Sequence, residues 1–259
     1  MFNFPPNKIV CLSEETVETI YLLGEEKRIV GVTGFAVRPE RVRKEKPRIS
    51  SFISAKIDKI VELKPDLIFT FSDIQADISK QLISKGLNVF CFNHRDTNGI
   101  LSMIKVIGAI LDCNEKSINL YNKLSNIIKE TRNKSPKIRP KIYFEEWNDP
   151  LISGIQWVSE LIDIAGGIDV FLKKSSNSLA VNRIISSEDV IAANPDIIIA
   201  SWCGKKFNFE SMCSRPGWGK INAIQNNKVF EIKSPLILQP GPAAITHGLE
   251  IISKIIKNF

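Results

Sequence analysis

The chain has 259 residues, of which 44% are hydrophobic and 24% charged, a composition typical of a globular protein with a substantial buried core. No apolar run approaches the ~18–20 residues of a membrane-spanning helix, so we expect a protein that is not embedded in a membrane. The net charge of +7 is concentrated between Arg38 and Arg48, but neither interleaved aromatic residues nor a recognition motif accompanies this stretch, so we interpret it as a solvated loop and expect no nucleic-acid partner.

The N-terminal segment and the cysteines bear on the cellular compartment. Residues Met1–Lys8 contain neither a basic segment nor the apolar stretch of a secretion signal. The five cysteines are odd in number and scattered, and they form no C-x-x-C motif, which favours thiols in a reducing compartment. We therefore expect a cytoplasmic protein, or a periplasmic or extracellular one if the sequence is a trimmed form.

An internal repeat predicts the architecture. Residues Ile57–Phe69 recur without gaps as Ser187–Ile199, and each copy reads as a short helix, a Pro-Asp turn and a strand buried on both faces. A looser pair, Val17–Gly24 and Ser159–Gly166, reads as a helix ended by glycine, preceded in each half by a strand (Lys8–Leu12 and Lys141–Phe144). The repeats predict two similar α/β lobes, which bind a ligand in a cleft at the carboxyl ends of their strands.

Between the repeats, the apolar residues take on helical spacing. From Asn98 to Arg132 there is no proline, and only Gly108 and the stretch Asp112-Cys113-Asn114 weaken the pattern. One helix of this length would measure ~50 Å at 1.5 Å per residue. We therefore predict an α/β fold of two Rossmann-like lobes, residues 1–97 and 136–259, joined by one long spine helix over residues 98–135.

These features resemble the helical-backbone substrate-binding proteins of ABC importers, and most of all their cobalamin-binding members. The resemblance covers nearly the whole chain and depends on segments in both halves: Ser13–Thr16, Gly31–Phe35, Arg48–Phe69, Tyr143–Trp147, Ile152–Gly154, Ser201–Lys206, Arg215–Trp218 and Leu238–Pro242. It implies a periplasmic-binding-protein-like monomer that binds a corrinoid between its lobes without catalysis, as a carrier, a sensor or the binding component of an importer. It also implies that Asp58 and Glu188 dock onto an ABC permease. One departure is Asn182, where the cobalamin-binding proteins place a tryptophan.

The candidate ligand contacts follow predicted strand ends. On the first lobe they are Phe35, Phe52, Phe71 and His94, since aromatic rings suit a broad macrocycle. On the second lobe they are Glu145, Trp147, Trp202, Lys205 and Gln239. Adjacent carboxylates on an extended chain point in opposite directions, so we expect at most one of Glu145 and Glu146 to face the ligand.

Two alternatives remain open. The ligand could be haem, a ferric siderophore or another metal chelate, because related lobes carry these compounds. The chain could instead be a cytoplasmic enzyme that uses Cys203 or the Glu145–Glu146 pair, although it contains no P-loop, dinucleotide or G-x-S-x-G motif. With two histidines and no clustered metal-ligand spacing, we expect no dedicated metal site and no catalytic cofactor.

Overall fold

The computed structural model describes residues 4–51 and 53–259, which divide into two compact units. The first unit comprises the chain up to His94 together with Asn98–Ser125, and the second comprises Arg95–Thr97 and Asn126–Phe259. The predicted division differs, because it made residues 98–135 a separate helical segment. No helix within the described ranges is both long enough and apolar enough to cross a bilayer.

The first unit is built on a five-stranded parallel sheet. The strands are β1 (Ile9–Cys11), β2 (Ile29–Thr33), β3 (Arg48–Ser50), β4 (Leu67–Phe71) and β5 (Val89–Phe92), in the spatial order β3-β2-β1-β4-β5. The helices between them are α1 (Glu14–Leu22), α2 (Val42–Glu45), α3 (Ile57–Glu62) and α4 (Ala76–Ser84). Every residue of β1 and β4 is buried, as the continuous apolar runs predict for parallel strands covered on both faces.

The single long helix predicted after the first lobe is wrong. The segment forms two helices, α5 (Thr97–Ile110) and α6 (Asn114–Asn133). Between them Asp112 has a φ of 54°, in the left-handed region that a right-handed helix cannot contain. Gly108 of α5 lies so close to α6 that a Cβ atom there would collide with the side chain of Ser117. The chain passes from the first unit to the second within α6, after Ser125.

The second unit is built on a mixed sheet with the order β10-β9-β6-β7, in which β8 also pairs with β6. Its strands are β6 (Lys141–Asn148), β7 (Leu151–Ser153), β8 (Ile168–Asp169), β9 (Ile197–Ala200) and β10 (Val229–Glu231), and only β7 is antiparallel to its neighbour. Its helices are α7 (Gln156–Ile164), α8 (Leu172–Ser175), α9 (Ser187–Ala193), α10 (Phe209–Cys213), α11 (Asn222–Gln225) and α12 (Leu249–Lys257), the last preceded by a π-helical turn, Ala244–Gly248.

Strand β6 extends beyond its predicted end at Phe144. Residues Glu145, Glu146 and Trp147 belong to the strand, because its last residues form a hairpin with β7. The predicted end of this strand at Phe144 is therefore wrong. The three residues still lie at the carboxyl end of the sheet, because β6 is parallel to β9.

The gapless repeat is confirmed in detail. Helix α3 and strand β4 in the first unit correspond to α9 and β9 in the second. At the equivalent position before each proline, Lys64 and Asn194 adopt left-handed conformations with φ values of 47° and 44°. A proline ring disfavours the right-handed helical conformation of the residue before it, so both helices end at the same point.

The aspartate side chain of each Pro-Asp turn accepts a hydrogen bond from the backbone at the start of a neighbouring strand. An oxygen of Asp66 accepts a hydrogen bond from the backbone N–H of Lys8 (2.9 Å), just before β1. The equivalent oxygen of Asp196 accepts one from the backbone N–H of Lys141 (2.8 Å), at the start of β6. Each turn therefore orders the sheet as well as ending a helix.

The looser pair of repeats is also confirmed. Helices α1 and α7 are each followed by a glycine in the left-handed conformation, Gly24 (φ 70°) and Gly166 (φ 94°). A Cβ atom at Gly166 would also lie 2.7 Å from Cδ of Pro136, so both the conformation and the available space require glycine.

The basic stretch between Arg38 and Arg48 is more ordered than the predicted loop. It contains α2 and β3, and two of its four arginines pair with acidic side chains of the same unit. Arg38 contacts Glu18 (2.8 Å), and Arg41 contacts Glu26 and Glu45 (3.0 and 3.1 Å). The charges of these two arginines are therefore balanced within the first unit.

Candidate functional site

The predicted aromatic contacts of the first unit lie at one edge of its sheet. Because the five strands are parallel, the residues that end or follow them meet at the carboxyl edge. Phe35 follows β2 and is 45% exposed, as expected of a side chain available to a ligand. Phe71 ends β4, and His94 follows β5. Phe52 lies outside the described residues, so its predicted contact stays a prediction.

Phe71 and His94 pack against each other at this edge. Their ring centroids are 5.5 Å apart in an edge-to-face arrangement, and the imidazole lies 6.1 Å from the ring of Phe92. Phe71 is only 6% exposed, so it contributes to the core as well as to the edge. The next residue, Ser72, has a φ of 61°, a strained conformation of the kind that clusters at functional sites.

Glu14 is a titratable group at this edge that the sequence analysis did not single out. It begins α1, directly after the central strand β1. Burial, followed by the charges of Glu15 and Glu18, raises the pKa of its carboxyl group to about 8. A carboxyl group with this pKa is largely protonated at neutral pH and can donate a hydrogen bond. Three glutamates within five residues are the sequence signal for this perturbation.

In the second unit, the carboxylate of Glu145 is the centre of a buried network. Its side chain is fully buried, and Arg215 donates two hydrogen bonds to it (Nη1–Oε2 2.6 Å, Nη2–Oε1 2.9 Å). The indole N–H of Trp202 donates to Oε1 (2.8 Å), and the hydroxyl of Tyr143 donates to Oε2 (2.9 Å). Burial, followed by the charge of Glu145, raises the pKa of Tyr143 well above its ordinary value.

The neighbouring Glu146 has a separate partner. Arg183 donates two hydrogen bonds to it (Nη1–Oε2 2.6 Å, Nη2–Oε1 3.0 Å). The two adjacent glutamates thus bind different arginines, as the opposite directions of their side chains predict. Both carboxylates are engaged by protein groups, so the structure offers neither of them to a ligand or as an acid–base pair.

A cavity of about 640 Å³ lies beside this network at the carboxyl end of β6 and β9. The residues that line it include aromatic, amide and charged side chains: Asn148, Trp202, Lys205, Lys206, Phe207, Asn208, Phe209, Glu210 and Ser211. Two of these, Trp202 and Lys205, are predicted ligand contacts. The Trp202 indole is only 4% exposed and packs edge-to-face on Phe207 (5.1 Å between centroids), so it mainly supports the cavity wall.

Lys205 is fixed by two indole rings and an amide. Its ammonium lies 5.6 Å from the Trp147 ring centroid and 5.5 Å from that of Trp202. It also donates a hydrogen bond to Oδ1 of Asn148 (3.0 Å). The structure therefore brings three of the predicted contacts together in the second unit.

Gln239 lies elsewhere in the second unit and is 3% exposed. Its Nε2 donates to the carbonyl of Pro235 (2.6 Å), while its buried Oε1 has no hydrogen-bond partner. The hydroxyl of Ser201, which follows β9, is also buried without a partner. Unsatisfied buried polar atoms are costly, and a polar ligand group or water can satisfy them.

Asp58 and Glu188, the predicted docking residues, occupy equivalent places in the repeat. Each lies exposed in the first turn of a short helix, α3 or α9. Over the described part of the chain, no three His, Cys, Asp or Glu side chains are grouped so as to hold a metal ion. The prediction that both lobes share one ligand stays a prediction.

Comparisons with known proteins indicate the family. The sequence profile of the family described as periplasmic binding protein matches residues 9–236. The uncharacterized ABC transporter substrate-binding lipoprotein YvrC of Bacillus subtilis is 25% identical, over 97% of this chain and 80% of its own. The vitamin B12-binding protein of Vibrio campbellii is 24% identical, over 99% and 90%. The periplasmic heme-binding protein RhuT from Roseiflexus, solved in its apo form, is 19% identical, with a TM-score of 0.82 over 96% of this chain and 99% of its own.

Proposed function

Because the chain belongs to the periplasmic binding protein family, we propose that it is a substrate-binding component of an ABC importer whose ligand is a corrinoid. The family match over residues 9–236 is the observation that carries the role of a binding protein. Relatives named vitamin B12-binding protein, aligned over almost the whole chain, support the choice of ligand.

The chemistry of the second unit suits a large ligand that is apolar in its body and polar at its rim. The indole of Trp147 and the ring of Phe207 are only partly buried beside the cavity at the sheet end, and such rings supply broad contacts to a flat macrocycle. The amide of Asn148 can exchange hydrogen bonds with the peripheral amides of a corrin. On the first unit, the exposed ring of Phe35 supports a similar apolar contact.

Haem is a second candidate ligand. The fold is shared with a protein named as heme-binding, and Lys205 supplies a cation suited to a carboxylate substituent. His94 and Phe71, at the edge of the first sheet, are the imidazole and aromatic groups that could contact a metal-bearing macrocycle there.

The proposed partner is an ABC permease that binds the exposed carboxylates of Asp58 and Glu188. These residues occupy equivalent first-turn positions in the two copies of the repeat, so each unit presents one acidic group in the same local setting. A permease surface with two basic patches would match them. The double substitution D58N/E188Q tests this partner. We expect the double variant to bind its ligand as the parent protein does but no longer to be pulled down by a permease.

An enzymatic role has less support from the geometry. Glu145 and Glu146 are each held by an arginine, which leaves Cys203, in the turn after β9, as the remaining candidate nucleophile. If the chain is a binding protein, every compound that it binds should be recovered chemically unchanged. Turnover that disappears in C203S would establish the enzyme alternative instead.

The ligand is tested by calorimetric titration with cyanocobalamin, hydroxocobalamin and haemin. We expect one corrinoid per chain with a Kd on the order of 1 µM or tighter, which corresponds to about −8 kcal/mol. Binding of haemin alone would replace the corrinoid with the second candidate. If none binds up to about 1 mM, where the binding free energy is only about −4 kcal/mol, both ligand assignments are wrong, while the family assignment stands.

A further inference from the structure

Cationic side chains around the carboxyl end of the second sheet differ in whether a carboxylate balances their charge. Arg215 and Arg183 each donate two hydrogen bonds to a glutamate, Glu145 and Glu146 respectively, so both guanidinium charges are neutralised. Lys205 pairs with no carboxylate among the residues that the structure describes. Its contacts are the neutral amide of Asn148 and two indole rings.

These neutral contacts fix the position of the ammonium while leaving its charge uncompensated. An indole face attracts a cation through its quadrupole, which carries no net charge. An ammonium has three N–H donors, and Asn148 accepts a hydrogen bond from only one of them. Lys205, which is exposed, therefore presents two remaining donors and a full positive charge beside the two indole rings.

The surrounding cavity also favours an anion. Its volume of about 640 Å³ is within the ~300–1,000 Å³ range of small-molecule sites. Its lining contains two lysines, Lys205 and Lys206, against one acid, Glu210. The remaining lining is aromatic or neutral and polar, so it supplies an apolar wall beside a positive potential.

We propose that this cavity receives an anionic substituent of the ligand, a carboxylate or a phosphodiester, and that Lys205 is the cation that pairs with it. The inference rests on the proposed function, because it assigns a chemical group to the same ligand. A neutral amide substituent could hydrogen-bond with Asn148 but would leave the ammonium charge uncompensated. A ligand carrying an acid therefore gains a charge-assisted hydrogen bond that its uncharged counterpart lacks.

The test compares ligands that differ in the anion. Cyanocobalamin carries a phosphodiester, dicyanocobinamide has the same corrin ring without it, and haemin carries carboxylates. Each is titrated into the parent protein and into K205Q. K220Q is the control, because Lys220 is an exposed lysine of the same unit that is not among the residues lining the cavity. Unfolding midpoints of the three proteins establish that the substitutions leave the fold intact.

We expect K205Q to weaken the binding of a ligand that carries the anion by about tenfold and to reduce its salt dependence. K220Q should leave that affinity unchanged, and dicyanocobinamide should bind K205Q and the parent protein equally. A selective loss with cyanocobalamin identifies the phosphodiester, and one with haemin identifies the carboxylates. An equal loss with cyanocobalamin and dicyanocobinamide, or no loss with any ligand, overturns the proposal.

A second pair of probes separates this proposal from the function on which it rests. If no tetrapyrrole binds, the ligand assignment fails, and the anion site is then tested with 1-anilinonaphthalene-8-sulfonate and the uncharged N-phenyl-1-naphthylamine. The site predicts that K205Q, but not K220Q, weakens binding of the sulfonate by several-fold and leaves the uncharged probe unaffected. Equal binding of the sulfonate by all three proteins would rule out the anion site.

Discussion

Arg215 and Glu145 are joined by two parallel hydrogen bonds, of 2.6 and 2.9 Å, although 70 residues separate them in the sequence. The pair is fixed further by Trp202 and Tyr143, which donate to the same two carboxylate oxygens. Because the carboxylate is fully buried, its negative charge depends on these four hydrogen bonds. The backbone N–H of Lys205 donates to the carbonyl of Trp202 (3.3 Å), which links this network to the turn that carries Lys205.

Removing the arginine should destabilise the protein strongly. R215M leaves the buried Glu145 carboxylate without its counter-charge, and we expect the free energy of unfolding to fall by ~3–5 kcal/mol in urea denaturation. The double variant E145Q/R215M should regain part of this loss, because no uncompensated charge remains. K254M, which breaks the exposed pair of Lys254 and Glu250, is the control and should leave the urea midpoint unchanged. A similar response of R215M and K254M would contradict the buried network.

Two tryptophans of the second unit should respond differently to truncation. Trp202 lies in the core, so W202A should lower the free energy of unfolding by ~3–5 kcal/mol. Trp147 is only partly buried and lies beside the ammonium of Lys205, so W147A should retain the fold and weaken ligand binding by ~1–3 kcal/mol. Thermal unfolding and calorimetric titration of both variants measure the two effects. The reverse assignment of stability and binding losses would show that Trp147 is the structural residue.

Glu14 should make stability depend on pH. Its folded-state pKa, about 8, lies above the ordinary value of 4.5, so the native state binds the proton more tightly than the unfolded state does. Its contribution to stability is full below about pH 4.5 and is lost as the pH rises through about 8. The unfolding temperature of E14Q should therefore rise relative to that of the parent protein across this interval. E250Q, at an exposed position, is the control, and a constant difference for E14Q would refute the raised pKa.

The close approach of α5 and α6 requires glycine at position 108. In G108A the new methyl group collides with the Ser117 side chain, and we expect a loss of ~1–3 kcal/mol in the free energy of unfolding. Adding S117G should recover part of that loss. Gly219 has open space around it, so G219A is a control for the added methyl group. Equal stability of G108A and G219A would argue against the tight contact.

The parts of the fold that were predicted from the sequence depend on local signals. The proline at the end of each short helix and the aliphatic run after it act within a few residues, so α3–β4 and α9–β9 could be located directly. The break at Asp112 was missed because the apolar stripe continues on both sides of it, and the left-handed turn depends on the packing of Gly108 against Ser117.

For the candidate site, the sequence could predict only which residues lie at or after the ends of strands. Strands β6 and β9 are parallel neighbours, so the residues at their carboxyl ends lie close together: Trp147, Trp202 and Lys205. The engagement of Glu145 by Arg215 could not be read from the sequence, because nothing local relates residues so distant. The length of β6 was underestimated for a similar reason: its polar end residues are held by pairing with β7.

The two Pro-Asp turns also bear on how the chain folds. Asp66 closes a loop of 58 residues onto Lys8, and Asp196 closes one of 55 residues onto Lys141. Loop-closure entropy grows only with the logarithm of loop length, so the two closures differ by on the order of 0.05 kcal/mol. The two turns therefore close their loops at nearly equal entropic cost, so this cost does not favour either sheet. During synthesis the residues of the first closure emerge before those of the second, which favours earlier formation of the N-terminal sheet.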